Sequence, residues 1–203
     1  DRGTAPHGRL AVQPPPPGEW VSLPPEIMAV LARALEIARL SDGAFDPGVG
    51  ALVNAWGFGA ERDDPDAAAI RVARQWGQPP AHQSLELYLA AGRARKHADA
   101  LFDLCGIAKG YGVDQMTAVL QAHGVAHALA ALDGELRALG TQASGEPWAV
   151  AVESPEPGRR AARGVIELAD LAVATSGDYR RWVQIGDARL SHTMDGRRAA
   201  PVN

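Results

Sequence analysis

Cysteine is almost missing from this chain. Its one cysteine, Cys105, cannot close an internal disulfide and is too few for a cysteine-built zinc site. Its apolar flanks give it the reading of a small buried side chain. No apolar run approaches the roughly 18–20 residues of a membrane span. No basic run exceeds two arginines, as at Arg159-Arg160, Arg180-Arg181 and Arg197-Arg198, and the net charge is −4. Both facts argue against a nucleic-acid partner. The start, Asp1-Arg2-Gly3-Thr4, lacks an initiator Met and the apolar core of a signal peptide, so the chain reads as a mature form or a piece of a longer protein. Common catalytic signatures are absent as well: there is no His-Glu-x-x-His helix, no Gly-x-Ser-x-Gly elbow and no Walker loop. Gly57-Phe58-Gly59 is no dinucleotide fingerprint, because it does not open a helix and Glu61, Asp63 and Asp64 follow it.

What is present suffices for a core. Hydrophobic residues make up 46% of the 203, which argues against wholesale disorder. A Pro-rich lead-in over residues 1–20 carries Pro14-Pro15-Pro16-Pro17-Gly18 and reads as extended. Residues 20–23 predict a short strand. Ile27, Val30, Leu31, Ala34, Ile37 and Ala38 recur at helical spacing through Leu40. Short helices are expected at 51–56 and at 65–76, the second with Ala69, Ile70, Val72 and Ala73 inward. Residues 85–89, 93–97 and 101–103 read as strands, the last two as a hairpin. A helix over 107–123 follows, with Ala108, Gly112, Met116, Val119, Leu120 and His123 as its buried stripe and Gly124 as its end. Strands then dominate: 126–132, 135–139, 148–153, 165–168, 171–174, and a last one running to Asp195. Helices early and strands late, at hairpin spacing, predict an α+β fold with a mostly antiparallel sheet and packed helices.

The chemistry-bearing residues lie in glycine-rich turns. In Asp103-Leu104-Cys105-Gly106-Ile107-Ala108-Lys109-Gly110-Tyr111 an acid ends a strand-like run and a lysine falls in the first turn of a helix. Backbone N–H groups at a helix start attract anions, and a lysine adds a full charge. A lysine there is more often merely solvated, so other stretches must agree. Asp46 sits in the open loop Ser41-Asp42-Gly43-Ala44-Phe45-Asp46-Pro47-Gly48, which reads either as a helix end with a turn or as a ligand-contacting loop. Thr175-Ser176-Gly177 follows a strand and reads equally as a phosphate-binding turn or an ordinary one. Asp133, Glu135, His192 and Asp195 complete the polar set. An unperturbed histidine titrates near neutrality, so His192 is a candidate general base.

Taken together these stretches resemble the ApbE-type flavin transferases, the FAD:protein FMN transferase family. The matching segments are Ser41 to Pro47 with Val53-Asn54-Ala55-Trp56-Gly57-Phe58-Gly59, Asp103 to Asp114, Asp133-Gly134-Glu135, Trp148 to Pro155, Ala174 to Trp182, and Ser191-His192-Thr193-Met194-Asp195. The resemblance implies one ApbE-like domain over 1–203, incomplete, and a reaction. FAD is split at its pyrophosphate, and its FMN half moves to a Thr or Ser hydroxyl of an acceptor flavoprotein. AMP leaves, and Mg2+ is required. The physical demands are those of phosphoryl transfer.

Carried over by motif, Ala44, Phe45, Asp46, Asp103 and Lys109 would contact FAD. Thr175, Ser176 and Asp178 would border the flavin or phosphates. Gly106 would offer a backbone carbonyl to the metal, and His192 would take the proton of the acceptor hydroxyl. The resemblance also implies a periplasmic or cell-envelope setting and allows a membrane-associated acceptor. Two departures stand out. The family's histidine motif continues Asp-Pro-x-Thr-Gly, whereas Asp195 is followed here by Gly196-Arg197-Arg198-Ala199. The family's metal-binding Asp and Thr side chains belong to a later helical segment, downstream of Asn203, so a truncated or partly represented member is expected. Two alternatives stay open beside the transferase. One is a flavin-binding module without catalysis. The other is an FAD pyrophosphatase, which Asp103, Lys109 and His192 support equally.

Overall fold

Two prolines open the first helix. Pro24 is the N-cap of α1 (Pro25–Leu40), where a missing N–H costs no intrahelical bond. This computed structural model describes residues 15–59, 64–75, 79–156, 161–177 and 182–202. Helix α1 buries Met28, Val30, Leu31, Ala34, Leu35 and Ala38; of the expected stripe Val30, Leu31, Ala34 and Ala38 are buried, Ile37 is half-buried and Ile27 is exposed. The helix ends in a Schellman turn. Gly43 N–H reaches Ala38 O at 2.9 Å and Asp42 N–H reaches Arg39 O at 3.2 Å. Asp42 takes the left-handed position at φ 51°, which a short polar side chain tolerates. The chain is thereby aimed straight into the 43–49 loop.

Helix α2 (Gly50–Ala55) follows at once, then α3 (Ala67–Gln75) and the one-turn α4 (Ala81–Ser84). Leu52, Trp56 and Phe58 form a buried cluster. Ile70 and Ala73 of α3 pack on it, and so do Val183, Leu190, Met194 and Ala199 from the C-terminal hairpins. Val72, expected to face inward, is exposed. At about 100° per residue it points away from the face that Ile70 and Ala73 share.

Strands β1 (Trp20–Ser22), β2 (Leu85–Tyr88) and β3 (Arg93–Lys96) form an antiparallel sheet in the order β1-β3-β2, with a 3-10 turn at Leu89–Ala91. The expected hairpin between 93–97 and 101–103 does not form. Both edges of β3 are taken by β1 and β2, and Leu101 instead bridges Val49 in parallel. Helix α5 (Cys105–Ala122) comes next and packs on β4 (Ala128–Leu132) and β5 (Glu135–Leu139). It ends at Gly124, φ 79°, with Val125 N–H on Leu120 O at 3.0 Å.

The stripe expected for α5 is wrong. Its buried residues are Val113 and Thr117, while Met116 and Val119 are 43% and 58% exposed. Apolar residues occur on every side of the helix, so periodicity carries no phase. Strand β8 (Ala172–Val173) completes the sheet β4-β5-β8. The pairs β6 (Trp148–Glu153) with β7 (Ala162–Leu168), β9 (Trp182–Ile185) with β10 (Ala188–Ser191), and β11 (Met194–Asp195) with β12 (Ala200–Pro201) stand separately. Every strand ladder among the described residues is antiparallel. The α+β reading therefore holds.

Candidate functional site

Two chain segments far apart in sequence are sewn together at the start of α5. Asp103 N–H donates to Pro47 O at 2.8 Å and Gly50 N–H donates to Leu101 O at 3.0 Å. Within the 43–49 loop, Ser41 Oγ accepts Phe45 N–H at 3.1 Å. Asp46 Oδ1 accepts Gly48 N–H at 2.8 Å and Ala81 N–H at 3.0 Å, which fixes the loop on α4. The Phe45 ring then lies over the first turn of α5: a Cβ placed on Gly106 would meet Phe45 Cε2 at 3.2 Å. Asp103 Oδ1 accepts Cys105 N–H at 2.8 Å, satisfying one of the donors that a helix start leaves open. Cys105 is exposed, not buried as its apolar flanks suggested. Its position in the first turn of α5 sets it at the rim of a groove.

Lys109 lies one turn on. Its Nζ is 3.0 Å from Glu135 Oε2 and 3.7 Å from Asp133 Oδ2, and it donates to Asp133 O at 3.3 Å. The bond to Glu135 holds the ammonium above its ordinary pKa, against burial, with the charges of Glu135 and Asp133 adding to the effect. Lys109 is thus charged at every physiological pH, but its charge is shared with two carboxylates. Thr175 stands beside the same turn, since a Cβ on Gly134 would lie 3.6 Å from Thr175 Oγ1.

A groove of about 300 Å³ runs between α1 and the first turns of α5. Val30, Arg33 and Ile37 line one side, Gly106, Lys109, Tyr111 and Asp114 the other, with Glu135 and Ala174 at the end. That is the low end of small-molecule site volumes. It has an apolar wall and a charged corner.

The histidine belongs to another anchored segment. Ser191 N–H donates to Val202 O at 3.1 Å and Val202 N–H to Thr193 O at 2.9 Å, which holds His192 between two backbone bonds. Buried Ser191 also takes Thr193 N–H on its Oγ at 3.1 Å. The His192 ring meets Phe58 edge to face, centroids 6.2 Å apart. The turn after it touches the 43–46 loop: a Cβ on Gly196 would fall 2.9 Å from Asp46 Cβ and 3.0 Å from Gly43 O. Asp195 Oδ1 accepts Arg197 N–H at 3.0 Å. Burial raises the Asp195 pKa, but the Arg197 bonds and charge, with Arg198 N–H, bring it below the ordinary value.

The structure therefore brings together most of the residues singled out in the sequence. Phe45 sits on Gly106. Asp103 caps the turn that leads to Lys109, and Lys109 joins the Asp133–Glu135 turn beside Thr175. Asp46 touches the turn after His192. Ala44 lies within the sewn loop, and Ser176 is exposed one residue past Thr175. Asp178 lies outside the described residues. Glu135, seen in the sequence only as part of a polar turn, is the main partner of Lys109. The α1 side of the groove was missed, because Val30, Arg33 and Ile37 carry no motif and fit an ordinary helix. Among the described residues no group of three or more His, Cys, Asp or Glu could hold a metal ion.

The ApbE family matches residues 9–203. A FAD:protein FMN transferase of Vibrio cholerae is 35% identical over 180 residues, 88% of this chain and 53% of that protein. Another, of Salmonella typhimurium, is 32% identical over 184 residues, 87% of this chain and 52% of that protein. Among solved structures, the ApbE protein of Thermotoga maritima shares the fold at a TM-score of 0.79 and 30% identity, covering 91% of this chain and 60% of that one. The flavin transferase ApbE of Vibrio cholerae does so at 0.76 and 33%, covering 91% and 58%. The chain spans about half the length of the curated relatives it matches.

Proposed function

The chain belongs to the ApbE family, and from that premise we propose that it carries the FAD-binding part of an FAD:protein FMN transferase. One observation carries the reading. The loops at 43–46, 103–109, 133–135 and 192–197, far apart in sequence, are joined by a chain of neighbouring contacts. In the reaction proposed, the hydroxyl oxygen of an acceptor Thr or Ser attacks the FMN-side phosphorus of FAD. A new P–O ester bond forms, the bond to the bridging oxygen breaks, and AMP departs with that oxygen. His192 takes the hydroxyl proton. Lys109 holds a phosphate oxygen as a point charge. Phe45 packs its ring on the Gly106 turn, and Thr175 and Ser176 offer hydroxyl donors.

Mg2+ belongs to the reaction proposed for the whole protein, where it would neutralise diphosphate charge. The described residues do not fit it by themselves. Gly106 offers one backbone carbonyl inside a helix, and a hard cation wants several oxygens in octahedral array. The acceptor proposed is a flavoprotein of the periplasm or cell envelope, membrane-associated acceptors included.

The test is to incubate the full-length protein with FAD, Mg2+ and a candidate acceptor. A gain in acceptor mass equal to FMN supports the transferase. Free FMN without a mass gain means water is the acceptor and the protein is a pyrophosphatase. Bound, uncleaved FAD means a flavin-binding module.

A further inference from the structure

The turn after His192 departs from the family pattern, and its geometry gives the departure a use. Gly196 stands where the family has proline. A Cβ there would sit 2.9 Å from Asp46 Cβ, so only glycine lets this turn close on the 43–46 loop. The close approach lays the next residue on that loop: Arg197 Cγ is 3.7 Å from the Cβ position of Gly43. Asp195 Oδ1 holds Arg197 by its backbone N–H and lies 3.5 Å from Nε. That contact steers the stem but takes the guanidinium only at its Nε edge. The side chain remains 55% exposed, with Asp195 as its ion-pair partner.

The electrostatics of the site call for such a cation. Asp46, Asp103, Asp133 and Glu135 all lie in the linked loops, and Lys109 is already engaged by two of them. A diphosphate adds further negative charge. Arg33 of the groove wall is paired with Glu36 at 2.7 Å, and a lysine shared between two carboxylates is a weak counterweight, whereas an arginine fork bonds a phosphoryl group through two N–H donors.

We propose that Arg197 is a ligand-binding residue, its guanidinium pairing with a phosphoryl oxygen of FAD at the 43–46 loop. The proposal rests on the FAD reading above. It is tested on the wild-type chain, Arg197→Gln, Arg197→Lys and, as a neighbouring control, Arg198→Gln. Binding of FAD, ADP and riboflavin is measured by flavin fluorescence and calorimetry, with melting curves to confirm folding. Arg197→Gln should weaken FAD and ADP about tenfold, the worth of one charge-assisted bond, and leave riboflavin unchanged. Arg197→Lys should recover part of the loss, and Arg198→Gln should match wild type. Equal FAD affinity in folded Arg197→Gln, or an equal loss for riboflavin, overturns the proposal while leaving the flavin reading intact. A wild-type chain that binds neither FAD nor ADP removes both.

Discussion

Replacing Gly50 by alanine tests the seam that joins the 43–49 loop to the start of α5. Gly50 is the first residue of α2, and helix propensity alone favours alanine there by up to about 1 kcal/mol. The packing opposes it. The new methyl would sit 2.6 Å from Leu101 O, 2.9 Å from Leu101 C and 3.0 Å from Leu101 Cγ. Two of those atoms are backbone, so no rotamer change relieves the contact. An ordinary separation requires the two segments to part by several tenths of an ångström, which breaks the 3.0 Å bond from Gly50 N–H to Leu101 O. Overpacking costs about 1–3 kcal/mol and the lost bond about 1 kcal/mol. Packing wins, with a net loss of roughly 1–3 kcal/mol. For a chain of this size that lowers Tm by about 3–10 °C. Circular dichroism melts and urea titration measure it. Gly110→Ala is the matched control: a Cβ there meets nothing within 4 Å, so propensity should raise stability by about 1 kcal/mol. Gly50→Ala with an unchanged or higher Tm would refute the seam.

Other expectations follow from the same contacts. Lys109→Ala should weaken FAD binding about tenfold by removing a charged phosphate contact, and equal fluorescence quenching would remove that role. The Lys109–Glu135 pair should stabilise the fold throughout the neutral range. Because the lysine pKa is raised from 10.5, its contribution is complete below that value and fades as pH climbs past it, which a series of melts at alkaline pH on wild type and Glu135→Gln detects. His192→Ala in the full-length protein should suppress FMN transfer and spare FAD binding; unchanged turnover would dismiss it as the base. Ala199 sits in the left-handed region at φ 47°, where the family pattern has glycine. Ala199→Gly should therefore stabilise by about 0.5–1 kcal/mol, visible as a higher Tm.

Helix ends and strand alternation were legible in the sequence because both are local. Pro24 and Pro25 mark one boundary, Gly124 another, and Trp148–Glu153 alternates within its own span. The failures are non-local. Residues 101–103 look like a hairpin partner for β3, and nothing nearby says that β1 and β2 already fill its edges. The turn after His192 lost Pro, Thr and Gly, yet β11 and β12 still pair across it. Gly196 supplies the close approach, and Ala199 accepts the backbone angle that glycine would take freely.

Helix α5 shows why a motif can place a residue when periodicity cannot. An α-helix with apolar residues on every side has no preferred face in its sequence, so the pattern chose Met116 and Val119 while the fold buries Val113 and Thr117. The rotation of the helix is set by its ends and partners. Phe45 packs on Gly106, Asp103 caps Cys105, and Lys109 is drawn to Glu135. Those contacts turn Lys109 and Gly110 toward the groove beside α1. The residues that fix the phase of the helix are among those the proposed reaction would use. Changing Glu135 therefore acts on Lys109 in two ways: it removes a competing charge and it frees the side chain. The first strengthens phosphate binding and the second adds an ordering cost. Glu135→Gln keeps a polar acceptor in place, so loss of the competing charge dominates and FAD should bind tighter. Weaker binding in Glu135→Gln would mean that the carboxylate's chief service is to aim the lysine.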